Sequence, residues 1–333
     1  MAYDKSEAVK LVIEAGHRLV EAGLVARTWG NISARISDTQ FVITPSGVGY
    51  DRLTEQDIVT VTIADCSYEG DIKPSSEKGI HADCYRLRDD VNFVIHTHQL
   101  YATAFGVIGR PLRLRDALLG DIVPNAEYGI SSTKKLRENV AASLAENPYC
   151  CAVFMRGHGA LFLGTDCESC FAASNRLEEL CRDKVLSDLP LSGAKIAPLP
   201  IPIEFGNTLD GLTVIFSDSP AITQISRIKG KKYPVIDDMA QIAGTDYAVI
   251  EEKKGWEKRA AKALRNRNAV FVSGRGAFCS GVNEEEAQAV SSVLEKNSLS
   301  DLFARQNGAD CRIGFADAFL QRSVYNLKYS KLK

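Results

Sequence analysis

The chain has 333 residues, of which 45% are hydrophobic and 25% are charged, and its formal net charge at pH 7 is −2. This length can bury a large core in two domains, and the composition is ordinary for a soluble globular protein. No strong basic block favours a nucleic acid or a membrane surface as partner, whereas a small anionic substrate needs only a local site. No run approaches the roughly 20 apolar residues of a membrane-spanning helix.

The first residues and the cysteines indicate the cellular compartment. Met1 leads directly into a polar helical pattern, without the apolar core of a signal peptide. The nine cysteines are odd in number, and their spacing does not suggest a disulfide framework. We therefore expect reduced thiols and a cytoplasmic location.

Hydrophobic periodicity predicts mixed helices and strands over roughly the first 190 residues. Helices are predicted at 4–22, 77–88, 101–107, 132–144 and 167–189, and strands at 41–43, 57–63, 93–95, 152–155 and 160–163. Because strands and helices do not alternate as strict βαβ units, the order favours a mainly antiparallel sheet with helices packed on it. The predicted fold class is therefore α/β.

Three of the five histidines follow predicted buried strands. His96 and His98 end one apolar run, and side chains two apart on a strand share a face. His158 follows a second apolar run. Three imidazoles suit Zn²⁺, whose catalytic sites keep one position open, and Glu77 can share the metal and move protons. His81, one turn after Glu77, is predicted to lie on the helix surface and not to bind the metal.

Small and hydroxyl-bearing residues in three turns predict a phosphate site. The candidates are Gly30, Asn31, Ser46, Gly47, Ser75 and Ser76. The glycines let backbone N–H groups approach an anion, while asparagine and serine add side-chain donors. The two serines before the helix at 77–88 lie where free N–H groups and the helix dipole attract negative charge. Each turn alone is common, and the same serines can serve simply as helix caps.

A proline-rich segment divides the chain into two parts. Residues 191–202 contain three prolines and a glycine with small residues between them, a composition typical of a linker. The sequence therefore predicts one domain at 1–190 and another at 203–333.

The second part contains an echo of the first. Residues 269–277 read Ala-Val-Phe-Val-Ser-Gly-Arg-Gly-Ala, and residues 152–160 read Ala-Val-Phe-Met-Arg-Gly-His-Gly-Ala, an offset of 117. Arg275 replaces His158 in the later copy, which contains no histidine. We predict that residues 203–333 form a degenerate domain without a metal site; chance similarity of a glycine turn is the alternative.

The order and spacing of the motifs together are specific. The segments that carry a resemblance to the class II aldolase/adducin family are Gly30-Asn31, Thr44-Pro45-Ser46-Gly47, Pro74-Ser75-Ser76-Glu77, His96-Thr97-His98 and His158-Gly159-Ala160-Leu161. The resemblance covers about residues 5–185 and implies an α/β/α sandwich on a largely antiparallel sheet. It also implies that the six turn residues bind phosphate and that the three histidines bind one Zn²⁺. Glu77 then matches the glutamate that ligates the resting metal and later acts as acid/base.

The resemblance implies a zinc-dependent aldolase that cleaves a phosphorylated ketose to dihydroxyacetone phosphate and an aldehyde. Such cleavage needs a Lewis acid for the enediolate, a carboxylate for the α-carbon proton, and a phosphate grip that orients the substrate. Glu77 favours this branch, because the related 4-epimerases have aspartate at that position. The aldolases also use a tyrosine from a neighbouring subunit, which is missing around residues 113–116. Asp116 lies there instead, near the acid/base aspartate of the epimerases, and is either a second catalytic residue or a surface turn residue.

Other functions stay open at this point. On the same scaffold, the alternatives are a sugar-phosphate 4-epimerase, or a decarboxylase or dehydratase of a phosphorylated substrate. The family is usually oligomeric, so a homo-oligomer is expected. An adducin-like binding protein without catalysis is the alternative of another class, and the intact histidines disfavour it. A purely structural zinc site is disfavoured because no fourth Cys or His ligand lies at a suitable spacing.

Overall fold

The computed structural model describes residues 2–25, 29–191, 198–206 and 209–329. The chain divides into two compact units, Met1–Asp183 and Lys184–Lys333. Half of the predicted linker, residues 192–197, lies outside the described residues. No helix of the described part is long and apolar enough to span a membrane.

The first unit is built on a seven-stranded sheet and a separate hairpin. Its strands are β1 (Asn31–Arg35), β2 (Gln40–Ile43), β3 (Val59–Thr62), β4 (Phe93–Thr97), β5 (Leu112–Asp116), β6 (Gly120–Val123), β7 (Asn125–Ala126), β8 (Ala152–Met155) and β9 (Gly159–Gly164). The order in the large sheet is β3-β2-β1-β4-β9-β8-β7, while β5 and β6 pair with each other. Every pair of the large sheet is antiparallel except β7 with β8. The α/β fold with a central, mainly antiparallel sheet is confirmed.

Helices cover both faces of this sheet. They are α1 (Lys5–Glu21), α2 (Lys78–Leu87), α3 (Leu100–Gly106), α4 (Lys134–Glu146) and α5 (Cys167–Asp188). Helices α2 and α4 share a buried core with Val94, Val153 and Leu161 of the strands. On the other face, Phe105 of α3 packs against Phe154 with ring centroids 5.2 Å apart. Successive side chains of a strand point to opposite faces of the sheet, and these strands are buried on both faces. Helices on each side therefore give a three-layer arrangement.

The antiparallel pairing places the ends of several strands at one edge of the sheet. Strand β1 begins where β4 ends, with Asn31 opposite His96. Strand β9 also begins there, with Ala160 opposite Thr97. His158 lies in the turn immediately before β9. Residues far apart in sequence therefore share one edge.

The second unit has a four-stranded sheet. Its strands are β10 (Thr213–Ser217), β11 (Val249–Ile250), β12 (Ala269–Val272) and β13 (Gly276–Gly281), in the order β10-β13-β12-β11. Its helices are α6 (Ile203–Gly206), α7 (Pro220–Ser226), α8 (Asp237–Ala243), α9 (Trp256–Leu264), α10 (Glu284–Gln306) and α11 (Phe315–Val324), followed by a π-helix at Tyr325–Tyr329. Only β11 and β12 pair in parallel.

This order and register match those of β4-β9-β8-β7 in the first unit. The pair Phe154 and Ala160 recurs as Phe271 and Ala277, an offset of 117 on both strands. A Cβ built on Gly159 would lie 2.2 Å from the carbonyl oxygen of Thr97, and one on Gly276 would lie 2.4 Å from that of Ser217. The two units thus share a strand arrangement and a close backbone approach. That one descends from a copy of the other stays a prediction.

Candidate metal centre

Three imidazoles converge at the sheet edge described above. The ring centroids are 4.8 Å apart for His96 and His98, 4.8 Å for His98 and His158, and 4.9 Å for His96 and His158. Nε2 of His96 lies 3.0 Å from Nε2 of His98 and 3.2 Å from Nε2 of His158. All three residues are buried. The strand period predicts the first pair, and the pairing of β4 with β9 adds the third.

The spacing of these nitrogen atoms suits a tetrahedral metal ion. Zn–N bonds of about 2.05 Å at tetrahedral angles place the nitrogen atoms roughly 3.3 Å apart. The two short Nε2–Nε2 distances lie close to that value, and the ligand atoms of all three residues lie within 4.8 Å of one another. Within the part of the chain that is described, no other group of three or more His, Cys, Asp or Glu side chains is spaced for a metal. The cluster can hold a metal ion.

The surroundings of His96 select the protonation state that a metal requires. Its Nδ1 lies 2.9 Å from the carbonyl oxygen of Ala160, so Nδ1–H donates to that oxygen and the lone pair of Nε2 faces the cluster. Burial lowers the pKa of His96 well below its ordinary value. A neutral imidazole with a directed lone pair is the form that binds metal.

Glu77 adds an oxygen donor to the three histidines. It lies directly before α2, and its Oε1 is 3.0 Å from Nε2 of His158. Its Oε2 is 3.5 Å from Nε2 of His96 and accepts a hydrogen bond from Nδ2 of Asn31 at 3.0 Å. Burial raises the pKa of Glu77, but the His158 and His96 imidazoles and the Asn31 N–H together outweigh it and hold the pKa well below its ordinary value. The group is therefore a carboxylate, able to bind a cation or accept a proton.

The prediction that His81 lies on the surface is wrong. His81 is 0% exposed; its Nδ1 lies 2.6 Å from Oγ of Ser33, and its Nε2 bonds to Oδ1 of Asn31. The Ser33 hydroxyl also lies 2.6 Å from the Tyr85 hydroxyl. Because Asn31 donates to Glu77, its Oδ1 accepts from Nε2–H of His81, and the Ser33 hydroxyl then donates to Nδ1. Burial lowers the pKa of His81 to about 4, so the ring is neutral at pH 7.

These bonds form one directed series that ends at the candidate acid/base carboxylate. The donors run from Tyr85 through Ser33, His81 and Asn31 to Glu77. The signal was present in the sequence, since a residue four positions after Glu77 lies on the same helix face. Predicting that His81 is buried also required a strand with polar side chains to pair with it, namely β1, and β1 was not predicted as a strand.

A second neighbour of the cluster was also missed. The ring of Trp29 stacks on that of His98, with centroids 6.3 Å apart and an interplanar angle of 21°. Trp29 and His98 lie in different parts of the sequence, and only the pairing of β1 with β4 brings them together. An aromatic face here limits the orientations open to the imidazole.

The predicted phosphate residues lie in turns around the same sheet edge. The turn that contains Ser46 and the turn that contains Ser75 are joined by two backbone bonds, from Ser46 N–H to the Lys73 carbonyl at 2.9 Å and from Ser75 N–H to the Thr44 carbonyl at 3.0 Å. Gly47 adopts φ +80°, which favours glycine. The structure therefore brings these two turns together.

The remaining predicted phosphate residues have distinct surroundings. Gly30 has φ +86°, and a Cβ built on it would lie 2.5 Å from the carbonyl oxygen of His96. Ser75 is buried, and its hydroxyl accepts from the N–H of Glu77 at 3.2 Å. Ser76 is exposed, with its hydroxyl 2.7 Å from that of Ser132. The side chain of Asn31 bonds to Glu77 and His81, so in this structure it contacts the candidate catalytic group.

The bonding partners of Asp116 lie outside the group formed by the three histidines and Glu77. It ends β5, and its Oδ2 accepts from Nε of Arg176 at 2.8 Å. Its Oδ1 accepts from the backbone N–H groups of Leu118 and Leu119 at 2.9 and 3.2 Å. The bond from Arg176 lowers the pKa of Asp116, which keeps the group a carboxylate. A catalytic role for Asp116 stays a prediction.

Comparison with known proteins identifies the family. Residues 10–185 match the family described as Class II Aldolase and Adducin N-terminal domain. The chain belongs to this family. The L-fuculose phosphate aldolase of Escherichia coli O6:H1 is 29% identical over 204 residues, which cover 60% of this chain and 89% of that protein. The 5-deoxy-D-ribulose 1-phosphate aldolase of Bacillus thuringiensis serovar kurstaki is 29% identical over 171 residues, covering 50% and 79%.

Two further comparisons bear on fold and activity. A probable L-ribulose-5-phosphate 4-epimerase of Mycoplasma pneumoniae is 29% identical over 165 residues, covering 45% of this chain and 68% of that protein. The solved structure of an L-fuculose 1-phosphate aldolase superposes with a TM-score of 0.52 and 30% identity, covering 59% of this chain and 91% of that one. The family therefore includes aldolases and an epimerase among the relatives of this chain.

Proposed function

We propose that the chain is a zinc-dependent class II aldolase that cleaves a phosphorylated ketose to dihydroxyacetone phosphate and an aldehyde. The observation that carries the proposal is the approach of three Nε2 atoms and one carboxylate at distances suited to tetrahedral coordination. The sugar-phosphate aldolases among the relatives support the substrate class. In this proposal the aldolase activity belongs to residues 1–190.

The residues divide the work as follows. His96, His98 and His158 hold Zn²⁺, which when bound supplies a Lewis acid for the carbonyl and hydroxyl oxygens of the substrate. In cleavage, Glu77 takes the proton of the substrate hydroxyl as the carbon–carbon bond breaks and returns it to the α-carbon of dihydroxyacetone phosphate; in synthesis the same proton moves in the opposite direction. Asn31 holds Oε2 of Glu77 through the 3.0 Å bond, which orients the carboxylate.

Phosphate binding orients the reacting end of the substrate. We assign this role to the predicted turn residues Gly30, Asn31, Ser46, Gly47, Ser75 and Ser76. The exposed serines at 46 and 76 are open to an anion, and the two turns that carry them are fixed by backbone bonds. A phosphate held at these turns supplies binding energy away from the bond that breaks, which fixes the reacting atoms in position.

The test combines metal analysis with a coupled assay. Purified protein is analysed for zinc, and dihydroxyacetone phosphate is detected with glycerol-3-phosphate dehydrogenase from a panel of ketose 1-phosphates. We expect about one zinc per chain and turnover of at least one ketose. Stoichiometric zinc without turnover of any ketose contradicts the aldolase and favours the second candidate.

The second candidate is a sugar-phosphate 4-epimerase. It is favoured by the missing tyrosine around residues 113–116, by Asp116 in that region, and by the epimerase among the relatives. Asp116 is held as a carboxylate by Arg176 and can accept a proton. Conversion of L-ribulose 5-phosphate to D-xylulose 5-phosphate, lost in Asp116→Asn, would support this candidate over the aldolase.

We infer that residues 203–333 form a degenerate copy without metal. The support is the shared strand order and the 117-residue offset, with Arg275 at the place of His158 and paired with Glu252 at 2.9 Å. We also propose that the chain is cytoplasmic and forms a homo-oligomer. Light scattering after size-exclusion chromatography measures the molar mass of the assembly and hence the number of chains in it. The test measures zinc in the full-length His96→Ala variant. Zinc that remains bound to its second unit would contradict the inference that this unit lacks a metal site.

A further inference from the structure

A cleft of about 340 Å³ lies in the second unit and has no role in the proposed reaction. Its walls come from three segments: the loop after α7, the C-terminal turns of α10, and the loop that follows α10. The lining residues used below are Lys229, Lys232, Tyr233, Arg305, Cys311 and Arg312. This volume is at the small end of the range for metabolite pockets.

The lining carries an excess of positive charge. Three lysines and two arginines face two aspartates, whereas the whole chain has a net charge of −2. The basic residues are not needed to cap α10. Its last carbonyls already accept backbone bonds, from Asn307 to Phe303, from Gly308 to Arg305 and from Ala309 to Ala304. A local excess of this kind attracts anions.

Both arginines are fixed in place while keeping donors for a ligand. Arg305 uses Nε and Nη2 to hold Asp301 at 2.7 and 3.1 Å, and Arg312 uses the same two atoms to hold Asp310 at 3.0 and 2.8 Å. A guanidinium has five N–H donors, so each keeps three after these bonds. Tyr233 also faces Arg312, with the guanidinium carbon 5.9 Å from the ring centroid. Donors fixed in advance lose little entropy when an oxyanion binds.

A buried lysine adds a cation beneath the cleft. Lys232 is only 2% exposed, and its ammonium donates to the carbonyl oxygens of Ile228 and Gly230. Within the described residues these two are its hydrogen-bond acceptors, while an ammonium carries three N–H donors. Burial lowers the pKa of Lys232, because the charged form is poorly solvated. An anion in the cleft supplies the missing acceptor and stabilises the charge.

We propose that this cleft binds the phosphate group of a small phosphorylated metabolite, at a site separate from the turns assigned to the substrate phosphate. Fixed guanidinium groups and a lysine match the geometry and double charge of a phosphate better than a single carboxylate. The site does not depend on the proposed aldolase activity. It needs only residues of the second unit.

Cys311 supplies a local readout, because it lines the cleft and is partly exposed. The full-length protein is alkylated with N-ethylmaleimide with and without millimolar inorganic phosphate or glycerol 1-phosphate, and each cysteine is followed by peptide mass spectrometry. Cys66 and Cys151, which are also partly exposed and lie in the first unit, serve as internal controls. Sodium chloride at equal ionic strength controls for screening, and citrate tests the carboxylate class. We expect phosphate compounds to slow alkylation of Cys311 alone.

Substitutions locate the bound anion. Arg312→Gln and Lys229→Gln alter exposed residues, so the fold should survive, which circular dichroism checks. Each should weaken binding by roughly tenfold, measured calorimetrically and by loss of protection. Lys258→Gln removes the same charge on exposed α9, outside the cleft, and should leave binding unchanged. Equal protection by chloride or citrate, equal loss in the Lys258 variant, or neither protection nor heat with phosphate overturns the proposal.

Discussion

The buried histidine beside the metal centre makes a quantitative prediction about acid stability. His81 has a pKa of about 4 in the folded chain, against 6.5 for an ordinary histidine. Above pH 6.5 the ring is neutral in both folded and unfolded chains and costs nothing. Between pH 6.5 and 4 only the unfolded chain gains a proton, so folding is destabilised as the pH falls. The free energy of unfolding therefore falls by about 3 kcal/mol over this pH range, at about 1.36 kcal/mol per pH unit.

His81→Leu tests this number with a non-titrating side chain of similar volume. At pH 8 the variant should be less stable by about 1–3 kcal/mol for each polar partner left unsatisfied, namely Asn31 Oδ1 and Ser33 Oγ. As the pH falls to 4, the advantage of the wild type should shrink by about 3 kcal/mol, because only the wild type carries the titrating ring.

Urea unfolding provides the measurement. Both proteins carry Trp256→Phe, so that fluorescence comes from Trp29 and reports the first unit. A chelator is present throughout, which removes metal binding from the comparison. Groups that do not interact with His81 titrate equally in both proteins and cancel in the difference. A difference in unfolding free energy that is the same at pH 8 and pH 4 refutes the reasoning.

Three further predictions concern the metal centre and the phosphate turns. His96→Ala should lose its zinc, measured by inductively coupled plasma mass spectrometry, whereas Arg275→Ala should keep the wild-type content; loss in both contradicts the assignment of the site to the first unit. Glu77→Gln should keep zinc but lower kcat by roughly 10²–10⁴-fold, since an amide cannot carry the proton, and kcat within a factor of ten of wild type would be inconsistent with that role. Ser76→Ala should raise KM for the phosphorylated substrate roughly tenfold with kcat nearly unchanged, and an unaltered KM removes this serine from the phosphate site.

The metal cluster shows what a sequence can and cannot predict. Strand periodicity places His96 and His98 on one side, because side chains two residues apart along a strand point to the same face. It says nothing of His158, which is 62 residues beyond His96 and arrives only through the pairing of Thr97 with Ala160. His158 was predicted as a third ligand because it also follows an apolar run, and the order of the family motifs supported the same grouping.

Strand β1 shows why local patterns fail where polar groups are buried. Its side chains alternate between polar and apolar residues, which is typical of a half-exposed segment. All five residues are buried, because α2 covers the polar side with matching groups. Arg35 donates to the carbonyl oxygens of Tyr85 and Val91, and Ser33 bonds to His81. The burial of β1 thus depends on partners about 50 residues away, which periodicity cannot register.

The hairpin of β5 and β6 was missed for a different reason. It pairs only with itself, and its strands present exposed charged residues such as Arg113 and Arg115. Leu112 and Leu114 do alternate with these arginines, but the run is about the shortest that indicates a strand, and both leucines are only partly buried. Its importance lies in Asp116, the residue that the epimerase alternative requires.

The second unit bears on whether the histidines of the first serve the fold or the chemistry. Strand β10 occupies the place of β4, because Thr213 pairs with Gly281 as Phe93 pairs with Gly164. On this correspondence Phe216 stands at the position of His96 and Asp218 at that of His98, while Arg275 replaces His158.

The second sheet is thus built without imidazoles at any of the three ligand positions. Before β10, the described residues of this unit beyond α5 include only the short helix α6, so no element corresponds to α2, which begins beside Glu77. Its strands nevertheless keep the order and register of their counterparts around a core of their own. A metal ion is therefore not required to hold this arrangement of strands together. The first unit has four candidate ligands in a type of sheet that the second unit builds without imidazoles, which favours a chemical role over a purely structural metal site.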